Sequence, residues 1–194
     1  MKFKKLKRNF FNKNTLIVAK KLLGKYLVRI YKGAVLAGKI VEVEAYRGQN
    51  DPGSHAYRRK TKRNSIMFGP PGFAYVYFCY GNHYLFNIVT EKEGLAGAVL
   101  VRALEPVSGI DKMKKNRKTG DIKILTNGPG KLTQAMNIGK AENGKDLTGS
   151  EIYLVSYEKM RKQIISATRR IGITQGLDKK WRFLIKGNRF VSVL

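Results

Sequence analysis

Glu42 and Glu44 stand two residues apart in Ile40-Val41-Glu42-Val43-Glu44-Ala45-Tyr46, a segment otherwise apolar enough to be a strand. A carboxylate of this kind can activate water as a general base or stabilise positive charge developing on a sugar. Side chains alternate along a strand, so Glu42, Glu44 and Tyr46 share one face and Val41, Val43 and Ala45 the other. No acid precedes Glu42 in the chain, whereas 12 Lys and Arg residues do. Carboxylates at the edge of so basic a region repel a polyanion, so their presence calls for a chemical reason. Glu44 beside Tyr46 is the candidate centre. Spacing by itself equally describes a solvated strand face, which is the commoner case.

Other segments offer a surface for such a centre. Tyr75-Val76-Tyr77-Phe78-Cys79-Tyr80-Gly81-Asn82-His83-Tyr84 is an aromatic hairpin with Gly81-Asn82 as its two-residue loop. Tyr75 and Phe78 are candidates for sheet core. Tyr80, at the tip, is either core or a wedge between stacked bases. Arg58, Arg59, Lys60, Lys62 and Arg63 form a basic run, with no acid between Asp51 and Glu91. Such a run is either a solvated loop or a phosphate contact. Gly128-Pro129-Gly130-Lys131 offers backbone N–H groups at a helix start, a weak signal alone. His55 alone reads as an ordinary loop histidine.

The elements that must hold these residues are short. Asn14-Thr15 starts a helix that Gly24 ends. Tyr26 to Ile30 and Ala34 to Tyr46 make a hairpin around Lys32-Gly33, and Phe73 to Tyr80 with His83 to Val89 make a second. Ala96 to Leu104 is a strand ended by Pro106. Ser108 caps a basic helix running to Arg117, and Lys131 to Asn137 is a short helix. Trp181 to Ile185 and Phe190 to Val193 close the chain as strands. The expected fold is α+β: one compact domain over residues 10–194 after a basic arm at 1–9, with a mostly antiparallel curved sheet, short helices and a protruding aromatic hairpin.

The 194 residues suffice for one sizeable core, and 43% hydrophobic content excludes a disordered basic tail. The formal charge of +26 exceeds what solubility needs and implies a polyanionic partner, nucleic acid before an anionic membrane. One cysteine, Cys79, excludes an internal disulfide and fits a reducing compartment, so a cytoplasmic rather than secreted protein is expected. One Cys and two His, His55 and His83, cannot build a His/Cys zinc site within one chain. No apolar run approaches the ~18 residues a membrane span needs.

Taken together, the chain resembles the alkyladenine (3-methyladenine) DNA glycosylase family. The resemblance rests on Val41-Glu42-Val43-Glu44-Ala45-Tyr46, Ser54-His55, Arg63-Asn64 with Met67-Phe68, Tyr75 to Gly81, Phe86-Asn87-Ile88, Leu100 to Pro106, Gly128 to Leu132 and Arg170-Ile171-Gly172-Ile173. It implies a mixed fold whose aromatic hairpin enters the DNA minor groove, acting on double-stranded DNA with damaged purines, as a monomer and with no cofactor or metal. By the same resemblance Glu44 is the general base, and Tyr46, His55 and Tyr77 are aromatic walls around a flipped purine. Tyr80 fills the hole left in the duplex, Asn87 crowds the amino group of guanine, and Arg102 contacts the extruded nucleotide. Tyr57-Arg58-Arg59-Lys60 departs from the family pattern, so the DNA contacts expected of Arg58, Arg59 and Lys60 rest on charge alone.

The chemistry is self-consistent. Extruding a nucleotide costs a few kcal/mol, which a wedge and a basic surface offset. A purine alkylated on a ring nitrogen is cationic, attracted to tyrosine faces, and already a good leaving group. One Glu then suffices. Two rivals stand beside this reading: a glycosylase-lyase using a lysine Schiff base, which borohydride trapping would reveal, and a non-enzymatic nucleic-acid-binding protein, which would release no base. Charge of this size sets an expectation for binding. If ~5 phosphates are contacted, the log–log salt slope on undamaged duplex is about −4 to −5. Titrations at several salt concentrations measure it, and a slope near zero would show that the charge is not used on the backbone.

Overall fold

The alternating run around the two glutamates becomes the longest strand, Ala34–Arg47, in a computed structural model that describes residues 3–79, 81–158 and 163–192. In chain order the strands are β1 (Phe3–Lys5), β2 (Tyr26–Tyr31), β3 (Ala34–Arg47), β4 (Ala74–Cys79), β5 (His83–Val89), β6 (Gly97–Ser108), β7 (Ile152–Tyr157), β8 (Ile165–Thr168) and β9 (Arg182–Ile185). The α-helices are α1 (Arg8–Phe11), α2 (Thr15–Leu22), α3 (Ile110–Arg117) and α4 (Pro129–Ala135). One antiparallel sheet runs β1-β7-β2-β3-β6-β5-β4, with β9 added on β3 and β8 on β9. This is the single α+β domain with an antiparallel sheet that the sequence implies. No helix of the described residues is long and apolar enough to cross a membrane.

β3 organises the sheet. Along one edge it pairs with β6. Along the other it pairs first with β2, over residues 34–39, and then with β9, over Glu42 to Glu44. The β2–β3 hairpin turns at Lys32 and Gly33, both with positive φ, the two-residue geometry that matches strand twist. α2 starts as read: the Asn14 side chain accepts the Leu16 N–H, and Val18, Ala19 and Leu22 are buried against the sheet. Phe3–Lys5, inside the basic amino-terminal stretch, pair with β7.

Four boundaries differ from the sequence reading. β6 runs through Pro106 to Ser108, because Gly38 faces Pro106 and Ala37 faces Ser108, so an irregularity at Val107 accommodates the missing N–H. Ser108 does not cap α3. Gly109, in the left-handed region at φ +71, occupies the cap, and the Ser108 hydroxyl donates to the Val35 carbonyl. α4 begins at Pro129, inside the Gly-Pro-Gly segment, since proline suits a first helical position. Residues 190–192 form no strand.

Two packed clusters fix the site. The main core joins α2, β3, β5 and β6 through Leu22, Val43, Phe86, Val101 and Leu104. A smaller one, of Ala56, Met67, Tyr75, Val89 and Ala98, holds the irregular segment carrying His55 against the β4–β5–β6 end. An ion pair clamps that segment. Arg170 donates to both Asp51 oxygens at 2.7 and 2.6 Å and to the Ala45 carbonyl at 2.9 Å, and both charged side chains are wholly buried. Gly53 lies so close that a Cβ there would stand 2.9 Å from Arg170 Nη2. Removing one partner strands a buried charge, which commonly costs 3–5 kcal/mol. Asp51→Ala is therefore expected to lose about 3–5 kcal/mol, read as a lower urea midpoint with an unchanged slope.

Candidate active site

Both glutamates have no solvent exposure. Glu44 Oε2 accepts the Tyr46 hydroxyl at 2.8 Å, and Oε1 accepts the Ile171 backbone N–H at 2.7 Å. Arg102 Nη1 lies 3.3 Å from Oε1. Burial pushes the Glu44 carboxyl above its ordinary range, against the opposing pull of Arg102, the Ile171 N–H and Tyr46. A carboxylate has about four acceptor positions, so three partners leave Glu44 able to accept from one water.

Glu42 is held more tightly. Its Oε1 accepts Arg102 Nε at 2.8 Å, Arg182 Nε at 2.8 Å and the Ser192 hydroxyl at 2.8 Å, and its Oε2 accepts the Ser192 N–H at 2.6 Å. Arg102 reaches both carboxylates because the strands fall out of register there. Glu42 faces Ala103 and Val43 faces Val101, which leaves Arg102 as the extra residue of a bulge. An extra residue re-aims its side chain, here toward the glutamate face.

Tyr46, Arg102 and Ile171, the three residues that touch Glu44, also line a cavity of about 660 Å³. His55, Arg63, Tyr75, Tyr77, Asn87 and Lys131 line it with them. Its walls are aromatic: Tyr75 and Tyr77 have ring centroids 5.1 Å apart, and His55 meets Tyr77 edge-on at 4.7 Å. His55 Nδ1 lies 3.1 Å from the Tyr75 hydroxyl. Burial, aided by the Arg63 guanidinium, pulls the His55 pKa down, which keeps the ring neutral at pH 7. Burial pushes the Tyr75 hydroxyl up to about 12 and the Tyr46 and Tyr77 hydroxyls up as well, so all three stay protonated donors. Asn87 is buried and donates Nδ2–H to the Tyr75 carbonyl at 3.1 Å.

The structure thus brings Glu44, Tyr46, His55, Tyr77, Asn87 and Arg102 together. Arg58, Arg59 and Lys60 are exposed and do not line the cavity. Tyr80 lies outside the described residues. Of the two aromatics offered as core, Tyr75 is buried, whereas Phe78 is 50% exposed and joins the cavity lining. The residue reading did not find the Ile171 N–H, which no side-chain pattern announces. Nor did it give a role to Arg170, named only within a motif, which lies 4.7 Å from the Tyr46 ring while gripping Asp51. Arg63, read as part of a basic run, lies 5.4 Å over Tyr77 and lines the cavity.

The chain is similar to known proteins over nearly its whole length. Residues 9–189 match the pattern of the methylpurine-DNA glycosylase (MPG) family. A protein of Carboxydothermus hydrogenoformans is 55% identical over 188 residues, covering 96% of this chain and 98% of that protein. One of Prosthecochloris aestuarii is 53% identical, covering 95% of this chain and 89% of that protein, and one of Chlorobaculum tepidum is 46% identical, covering 97% and 91%. All three carry the name "Putative 3-methyladenine DNA glycosylase". A match that spans nearly the whole chain and includes every residue around the cavity places this protein in the methylpurine-DNA glycosylase family.

Proposed function

We propose that the protein is a monofunctional DNA glycosylase of base-excision repair that needs no metal. It extrudes an alkylated or otherwise altered purine from duplex DNA and hydrolyses its bond to deoxyribose, leaving an abasic site. The observation that carries this reading is a buried carboxylate behind an aromatic cavity, touching three residues that line it. A water held by Glu44 attacks C1′ of the sugar as the base departs with the bond's electron pair. Glu44 takes the water's proton, and a base cationic beforehand leaves neutral. Tyr46, His55 and Tyr77 supply faces and edges to grip the base. A cation over such a ring gains about 0.5–2 kcal/mol, which favours an electron-poor purine over a normal one.

Arg58, Arg59 and Lys60 are exposed enough to meet phosphates, and Tyr80 is proposed as the wedge that fills the vacated stack. Arg102 is proposed to work at the extruded nucleotide. We take the protein to act as a monomer on chromosomal DNA in a reducing cytoplasm.

Glu44 must be ionised to accept a proton. Because burial raises its pKa in the folded protein, the rate should fall as pH drops through a value above the ordinary carboxylate range. Single-turnover release of 7-methylguanine, which needs no added proton, should show that acidic limb. Glu44→Gln should abolish the limb and lower the rate ~10²–10⁴-fold, with lesion-DNA binding retained. Near-normal release by this variant would remove Glu44 from the mechanism.

Asn87 pairs across the β4–β5 ladder with Tyr75 and lines the cavity, and we take it to meet the minor-groove edge of the extruded purine. Guanine carries an amino group there that adenine and hypoxanthine lack. Asn87→Ser should raise the ratio of guanine-derived to adenine-derived release about tenfold, the scale of one steric contact in a fitted pocket. An unchanged ratio would leave Asn87 with a structural role only.

A further inference from the structure

We propose that Glu42 is a positioning residue: it holds the Arg102 guanidinium between the two carboxylates, and the carboxy-terminal segment helps it do so. This rests on the reading of Glu44 as the water-activating base. Arg102 places its Nε 2.8 Å from Glu42 and its Nη1 3.3 Å from Glu44, so one planar cation is shared unequally. The shorter contact goes to the glutamate that already holds Arg182 and both donors of Ser192. Ser192 also accepts from Arg102 Nη2 at 3.4 Å, and it lies beyond residue 189, where the family match ends.

The division has a chemical consequence. A base pinned by a close guanidinium binds protons weakly and accepts them poorly. By drawing Arg102 toward itself, Glu42 leaves Glu44 with the longer contact and preserves its basicity. Its own negative charge, two residues away on the same face, acts in the same direction. The remaining groups around Glu44 are accounted for. Tyr46 donates from the same strand, and Tyr77 faces it from β4. Arg182 stands opposite it on β9. Arg170, over the Tyr46 ring, is neutralised by Asp51.

The test is single-turnover release of 7-methylguanine from duplex DNA across pH, for three variants beside the unaltered protein. In Glu42→Gln, Arg102 loses its stronger partner and turns to Glu44. The acidic limb should move to lower pH, and the plateau rate should fall about 10- to 100-fold, the usual cost of losing an outer partner that orients a working group. Arg182→Gln leaves Glu42 paired with Arg102 and Ser192, and so is the variant less prone to misfold. There Glu42 draws Arg102 more strongly and a positive charge opposite Glu44 is lost, so the limb should move to higher pH. Opposite displacements from two neighbours in one cluster are not produced by general destabilisation. Glu44→Gln is the third variant. If it retains the limb and the rate, the water-activation reading fails and this inference falls with it. If it abolishes both while the limb stays in place in Arg182→Gln, and in Glu42→Gln where that variant folds, the positioning role alone is overturned.

Discussion

Glu42 and Glu44 are charged side chains in the middle of a sheet, and neither touches solvent. Taking a carboxylate out of water costs several kcal/mol even after the protein relaxes, so each must find partners within reach. Glu42 finds two arginines and both donors of a serine. Glu44 finds a tyrosine, one backbone N–H and the far end of an arginine already engaged. Two chemically identical groups are thereby given different characters, one saturated and one still able to accept. Separating neighbouring titratable groups by environment is a recurrent way to assign them different tasks.

The architecture follows from supplying those partners. Arg102 comes from β6, Arg182 from β9 and Ser192 from the carboxy-terminal segment, so the cluster ties together parts of the chain far apart in sequence. β3 can collect them because its edge changes neighbour, from β2 to β9, at the point where the glutamates begin. Arg170 extends the same logic outward. Its charge is cancelled by Asp51, which fastens the loop carrying His55, and its guanidinium lies over the Tyr46 ring. The aromatic cavity is therefore braced from behind by ion pairs rather than by apolar packing alone.

Much of this was legible in the residues, and the rest was hidden for definable reasons. Alternation showed that Glu42, Glu44 and Tyr46 share a face, and the first hairpin was placed at Lys32-Gly33, where the structure turns. Family motifs pointed to Tyr46, His55, Tyr77, Asn87 and Arg102, which the cavity brings together. Register is another matter. Proline in Pro106 reads as a strand end, but a bulge at Val107 lets β6 continue. The bulge that aims Arg102 has no local signature, because it arises from pairing between distant segments. Backbone donors such as the Ile171 N–H carry no residue identity at all. Alternation does not tell Glu42 from Glu44; what separates them is their neighbours, and those of Glu42 lie up to 150 positions away.

The cavity's charge bears on how a glycosylase of this kind would choose its base. Among the described lining residues, Arg63, Arg102 and Lys131 are cationic and none is acidic. Tyrosine faces draw a cationic base by about 0.5–2 kcal/mol. A guanidinium ~6 Å from the same base would repel it by about 3 kcal/mol at an effective dielectric near 20, and by less where it is open to solvent, as Arg63 is. The two effects are similar in size and opposite in sign. Arg102 is largely cancelled by its glutamates, whereas Arg63, over the Tyr77 ring, is 5.4 Å from an aromatic wall. On the proposed reading, the tyrosine faces favour a cationic lesion and Arg63 opposes it, so the net preference is smaller than the faces alone would give. On that reading the bond itself also discriminates, since a base that is positive before the reaction departs as a neutral molecule. On the proposed reading, that puts the demand for precision on the water and on Glu44, whose partners are one tyrosine, one backbone N–H and the shared Arg102.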